Sequence, residues 1–307
     1  MIDMGSQHSK ALLVGDNPFH NISHLSQDRT RARGSRQTDP EHAAGLIQTA
    51  VENGANGFLF SVSDTTLAIL KTLKKNGAIG GLDLYPIVPY AYEYVRLATQ
   101  VGGIPGLVKV FSKRLASSGS FGAMASGLNG VLRSNPSSLL KTYLTYEMNR
   151  IRDAAGKKAH VRSIILHEVI VDIALSLQLG WFLKEYSDFA LKHDLVPGFN
   201  TCNFAFLTSR LNDWDINPSS VVVAAPFNKI GFQMNPSRAA CEEALKTFSC
   251  PVLLAISVLA AGYLKPSEAA EYLASLPNLK GVAIGVSKEK QAQETFRIFS
   301  QELHAYS

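Results

Sequence analysis

Residues of catalytic type gather where the apolar runs of this chain end. Asp16, Asn17 and His20 follow ALLV within the stretch GDNPFH. An acid, an amide and an imidazole so close together are the parts of a proton-transfer site. His167 and Glu168 close the run VRSIILHE, and Tyr90 closes LYPIVPY. Asn200, Cys202 and Asn203 end VPGFNTCN, Asn228 and Lys229 follow SVVVAAPF, and Ser257 ends PVLLAIS. Ser61, Ser63 and Asp64 follow NGFLF, and Gly285, Ser287 and Lys288 finish GVAIGVSK.

These groups admit more than one chemistry. His167, Glu168 and Asp16 suit non-redox acid–base work, with His20 and Tyr90 as further proton carriers. Asp16, His20, His167 and Glu168 are also oxygen and nitrogen donors of the kind that ligate a divalent ion, but they come from two strand ends that are not neighbours, so no metal site is expected. Lys229 or Lys288 as a Schiff-base lysine, and Cys202 as a nucleophile with His167 as its base, are weighed against a solvated loop lysine and a buried small side chain, which are the readings adopted. For His167 the alternative is a rim histidine bonded to its neighbouring strand, and for the GDNPFH loop it is ordinary turn and cap chemistry.

The elements that must position these residues alternate. The first strand, Ala11 to Asn17, is followed after a polar loop by a helix that Asp39 caps and Pro40 opens, with Ala43, Leu46, Ile47, Ala50 and Val51 on one face. Strands are expected at Asn56 to Ser63, Leu84 to Tyr90, Val161 to Glu168, 196–203, Ser220 to Asn228, 251–257 and 281–287, with amphipathic segments between them, making eight strands in all. That rhythm predicts an α/β protein, a single (β/α)8 TIM barrel over residues 1–307, whose catalytic groups sit at the C-terminal ends of the strands. No GxGxxG follows the first strand, which argues against a Rossmann sheet.

The rhythm breaks between Ala91 and Lys158, where a helical insert is expected between strands three and four. Its segments YEYVRLATQV, IPGLVKVFSKRLA and PSSLLKTYLTYEMNRIRDA are amphipathic, with the glycine- and serine-rich SSGSFGAMASGLNG among them. The net charge of +5 resides there: the segment carries ten basic and three acidic residues, +7, leaving −2 for the remainder. A lid, a homo-oligomer interface, or a surface for an anionic partner are the roles open to it. Arg29, Arg31, Arg33 and Arg36 form either a solvated loop or a grip on phosphate or carboxylate. No stacking-and-basic module for nucleic acid is recognisable. Cys202, Cys241 and Cys250 are odd in number and unpaired in spacing, so free thiols are expected. No apolar run reaches spanning length without a break and MIDMGSQHSK lacks a signal-peptide core, so no transmembrane segment and a cytoplasmic location are expected.

HVRSIILHE resembles the aldo-keto reductase pattern in which the fourth strand ends in a histidine that orients the substrate carbonyl. GVAIGVSKEKQAQET is similar to that family's last strand and helix, with Gly285, Ser287, Gln291 and Glu294 at the recurring positions, and PVLLAISVLAAGYL is similar to its seventh strand. The resemblance covers mostly Val161 to Phe296. It implies an enzyme using NADP or NAD on a small polar metabolite, one bearing phosphate or carboxylate included. Cofactor contacts would come from Ser287, Lys288 and Gln291, with Asn200, Asn203, Ser257, Gly285 and Glu294 as further candidates. The chain departs from the family elsewhere: Ser61 stands where an aspartate is expected, no tyrosine follows it, and Pro89 and Tyr90 stand where a lysine is expected. A non-redox barrel enzyme and a non-catalytic binding protein with a basic insert are the alternatives.

Overall fold

A computed structural model of the chain describes residues 10–20, 38–90 and 136–305. The arginine cluster at 29–36 and the first two helical patterns of the expected insert lie outside the described residues.

The described chain forms one parallel sheet closed into a barrel. Its strands are β1 (Ala11–Gly15), β2 (Gly57–Ser61), β3 (Asp83–Val88), β4 (His160–Val161), β5 (Ser163–Leu166), β6 (Val196–Asn200), β7 (Val222–Pro226), β8 (Val252–Ile256) and β9 (Gly281–Gly285). Segments β4 and β5 are two pieces of one barrel strand: both pair with β3, through Asp83↔His160 and Ile87↔Ile165. Arg162 interrupts them, yet its N–H still donates to the Leu84 carbonyl (3.0 Å) and its Nε to Asp83 Oδ1 (2.8 Å). Eight barrel positions result, and β1 pairing with both β2 and β9 closes the ring.

Helices cover the outside: α1 (Pro40–Glu52), α2 (Asp64–Lys75), α3 (Pro136–Ala155), α4 (Glu168–Ser176), α5 (Gly180–Lys192), α6 (Phe204–Arg210), α7 (Arg238–Thr247), α8 (Pro266–Ala274) and α9 (Glu289–Ala305). Asp39 caps α1 by accepting from the Glu41 N–H (3.0 Å), as the sequence predicts, and Ser63 with Thr66 forms a capping box on α2. The third amphipathic pattern of the 91–158 segment is α3, and it packs against α2 and α5. That is the place of an ordinary barrel helix, so this part of the segment belongs to the barrel's outer layer.

Two corrections concern boundaries. Glu168, expected as the last residue of a strand, is the first residue of α4, because the His167 side chain caps a helix there. The strand expected to run to Asn203 ends at Asn200, and α6 begins four residues on, at Phe204. Short helices at strand exits carry too few turns to show a periodicity.

Side-chain parity sets up two cores. Leu13, Leu59, Tyr85, Ile87, Ile165, Val196, Val222, Ala224, Leu254 and Ala283 fill the barrel, while the alternate residues pack against the helices. Strands buried on both faces account for the near-continuous apolar runs. None of the described helices is long and apolar enough to cross a membrane.

Gly57 marks a tight approach between strands: a Cβ there would meet the Asp83 carbonyl oxygen at 2.5 Å and Leu13 Cδ2 at 2.6 Å. Gly57→Ala is therefore expected to destabilise the barrel by about 1–3 kcal/mol, the usual range for overpacking. A urea denaturation midpoint equal to that of the parent chain would refute this.

Candidate active site at the barrel mouth

The C-terminal ends of β1, β2, β3, β5 and β6 bring the central candidates together. After β1 the chain turns through a short 3-10 segment, Asn17–His20, held by the Phe19 N–H donating to the Asp16 carbonyl (2.8 Å) and by Thr38 Oγ1 donating to the Phe19 carbonyl (2.5 Å). This turn folds His20 back so that its Nε2 lies 3.0 Å from Asp16 Oδ2. Both side chains are almost fully enclosed, at 5% and 7% exposure. The same carboxylate oxygen accepts the Ser61 N–H at 2.6 Å, and the Tyr90 ring stacks on His20 with centroids 4.8 Å apart.

Ser61 is the residue that stands where the resemblance calls for an aspartate. Asp16, from the neighbouring strand, brings its carboxylate to Ser61's backbone instead. A carboxylate is thus present at that corner of the mouth, supplied by a different strand.

His167 continues the β3 ladder through its N–H to the Val88 carbonyl (2.8 Å). Its Nδ1 accepts from the Val169 N–H (3.2 Å), so the neutral ring carries its proton on Nε2. Burial pushes this imidazole below its ordinary range, opposed by the charge of nearby Asp16. Its neighbour across the β5–β6 register, one step beyond Leu166↔Phe199, is Asn200. Asn200 is 6% exposed, and its Oδ1 is buried with no hydrogen-bond partner among the described residues. A buried amide oxygen left unpaired costs stability, so such a group signals an unmet ligand or water.

Glu168 faces away from this cluster. Its carboxyl lies 3.8 Å from Cys202 Sγ, and burial followed by the Asp172 charge raises its pKa. Asp172 in turn accepts from Thr201 Oγ1 and from the Cys202 N–H. Glu168, Asp172 and Cys202, with Val169, Ile173, Ser176 and Leu177, line a groove of about 490 Å³. The Cys202 thiol is pushed up to about 12 by burial and then by the two carboxylates, and Glu168 rather than His167 is its partner. A thiol so held is no nucleophile. Lys229 and Lys288 lie on the surface, away from the desolvation that an amine nucleophile needs. Among the described residues no three His, Cys, Asp or Glu side chains are grouped to hold a metal ion.

The cofactor candidates divide. At the start of α9, Gln291 Oε1 accepts from both the Ser287 N–H (3.0 Å) and Ser287 Oγ (3.4 Å), while Lys288 is exposed and Glu294 pairs with Lys290 (3.8 Å) on the outer surface. A Cβ at Gly285 would meet Pro18 at 2.8 Å, so this glycine makes room for the GDNPFH turn. Asn203 opens α6, its N–H donating to Thr201 Oγ1 (2.9 Å). Ser257 adopts φ 52 and donates to Gln233 Oε1 (3.0 Å), itself at φ 60. Buried Asn228 bonds Phe232 and the Ser257 carbonyl, tying the loops after β7 and β8 together. Pro18, Asp172, Thr201 and Gln233 take part in the mouth without standing out in the sequence. Of these, Asp172 alone carries a signal there, one helical turn beyond Glu168.

A parallel eight-position barrel with its polar cluster at the C-terminal rim is the first level of classification. At the next, the solved structures that superpose on it include aldo-keto reductases. A Pseudomonas aeruginosa protein provisionally described as an aldo-keto reductase superposes with a TM-score of 0.60 at 11% identity, over 98% of this chain and 93% of that one. An aldo-keto reductase from a Medee basin deep-sea metagenome library gives 0.50 at 10% identity, over 87% of each chain. No family model and no curated protein sequence matches. The likeness is one of fold: the chain shares the parallel eight-position barrel of those aldo-keto reductases at 10–11% identity.

His167 generates a test of the buried site. Because the folded chain refuses a proton that the unfolded chain accepts, the stability owed to the neutral ring is complete above about pH 6.5 and falls as pH is lowered toward the depressed folded value. The acid-side decline in unfolding free energy is expected to be shallower in His167→Gln than in the parent. Identical pH slopes would show that His167 is not held neutral.

Proposed function

We propose that the barrel mouth is the active site of an enzyme of aldo-keto-reductase type, acting with NAD(P)H on a small polar or anionic metabolite. The observation that carries this reading is the orphaned Asn200 Oδ1 beside His167. A carboxamide N–H is the donor such an acceptor lacks, and the nicotinamide ring bears one. Asn200 thus fits the group, and His167 stands beside it on the adjacent strand.

Further support comes from the start of α9. Gln291 and Ser287 hold each other and order the first turn, whose backbone N–H groups and dipole favour a phosphate. The nicotinamide, when bound, supplies hydride to a carbonyl carbon. The chain's own contribution is to orient the carbonyl oxygen through His167, to shield it from water, and to keep a carboxylate at Asp16 in reserve beside it.

The absence of the family's tyrosine and lysine favours a second reading, non-redox acid–base chemistry at the same mouth. Glu168 points into the groove with Cys202, so that reading draws on Asp16, His20 and His167.

Titration with NADPH, followed by its fluorescence, is expected to show saturable binding that Asn200→Ala weakens by about tenfold, the equivalent of one buried hydrogen bond near 1.4 kcal/mol. No binding at millimolar cofactor would remove the reductase reading. Binding unaffected by Asn200→Ala would remove the argument from the orphaned amide.

A further inference from the structure

We infer that His20, held by Asp16, is the proton donor at this site, in place of the tyrosine and lysine that the chain lacks. The inference rests on the carbonyl-reduction reading above and adds to it the group that completes the reaction.

Three features of the geometry carry it. The Asp16–His20 pair is close (3.0 Å) and shielded, with exposures of 7% and 5%, so the two side chains are held together out of bulk water. Asp16 cannot swing away: its Oδ2 also accepts the Ser61 N–H at 2.6 Å, and the turn that carries His20 is pinned by Thr38 and by Pro18 packed on Gly285. The bond to Asp16 uses Nε2, and among the described residues Nδ1 of His20 makes no hydrogen bond. That second nitrogen is therefore the one able to meet a substrate. Tyr90, stacked at 4.8 Å, fixes the ring plane.

The proton balance is complete. With a reduced nicotinamide held at the mouth, its hydride would go to the carbonyl carbon, the C=O π pair would move onto oxygen, and that oxygen would take the proton from His20 Nδ1. The ring is left neutral, still bonded through Nε2–H to Asp16, and is recharged by water once the alcohol leaves. His167 cannot do this, because its Nδ1 is committed to the Val169 N–H and burial keeps the ring uncharged. One imidazole orients and the other protonates, a division set by their different environments. Asp16 and Tyr90 are positioning residues for His20.

The test uses the whole chain with NADPH and two carbonyl probes, 4-nitrobenzaldehyde and methylglyoxal. Cofactor binding is read by fluorescence and turnover by NADPH absorbance. His20→Gln and Asp16→Asn are expected to bind NADPH as the parent does and to lose about 10²-fold or more in kcat, the usual contribution of a general acid. Added imidazole is expected to restore turnover to His20→Ala and not to Asp16→Asn, a response that a purely structural role would not give. In the apo protein, a proton NMR signal for the Asp16-bonded Nε2–H is expected in the far-downfield region and lost in Asp16→Asn. Tight NADPH binding with undiminished kcat in His20→Gln would overturn the role of His20 and leave the reductase reading standing. Absence of NADPH binding in the parent would overturn both. A missing downfield signal in the apo parent would overturn the Asp16–His20 pair whatever the cofactor result, and it remains readable if a variant folds poorly.

Discussion

Closure of the barrel between its first and last strands is the constraint on which the rest depends. Ala11 to Gly15 pair residue for residue with Gly281 to Gly285, which removes both edges of the sheet. The same closure seats the GDNPFH turn, because Pro18 lies on Gly285 where any side chain would collide. A single packing contact thus joins the architecture to the chemistry: with Pro18 in place, His20 returns to Asp16, and Asp16 reaches the backbone of Ser61 on the second strand.

Around that corner the mouth has two halves of different character. Asp16, His20, Tyr90, His167 and Asn200 converge at strand ends, with one acceptor left unpaired among the described residues. Asn228, Gln233 and Ser257 hold the opposite loops to each other, with two residues in left-handed conformations. Backbone strain of that kind costs free energy and persists only where neighbours enforce it. Between His167 and Cys202 the chain turns Glu168 outward into a groove, so two adjacent residues of the sequence serve different surfaces.

Much of the barrel is legible in the order of the residues. The alternation of apolar runs with amphipathic segments and the cap at Asp39 are local signals, and each of the eight barrel strands overlaps a run those signals mark and ends before that run does. Asp16, His20, His167 and Asn200 can be singled out because strand exits of such barrels carry function. What is illegible has a common cause. In sequence, Glu168 and Cys202 look like partners for the acid and the imidazole, but α4 rotates Glu168 away from them. Gly285 and Gln291 match a cofactor pattern, yet their immediate contacts are Pro18 and Ser287. Lys229 and Lys288 sit at strand exits in sequence and on the surface in space.

By itself, then, the sequence determined the period of the elements, the identity of the strand-end residues and the lack of a tyrosine and lysine at the positions where its resemblance to a reductase pattern calls for them. Those properties are short-range, since period, capping and parity act within a few residues. Only the tertiary structure decided that Asp16 supplies a carboxylate to another strand's Ser61, that His20 rather than Glu168 is its partner, and that the Asn200 amide oxygen is left without one among the described residues. The Asp16–Ser61 pairing spans 45 residues of sequence and depends on strand register, while the Asp16–His20 pairing depends on the direction in which the turn aims a side chain, and both are settled by packing the whole barrel at once.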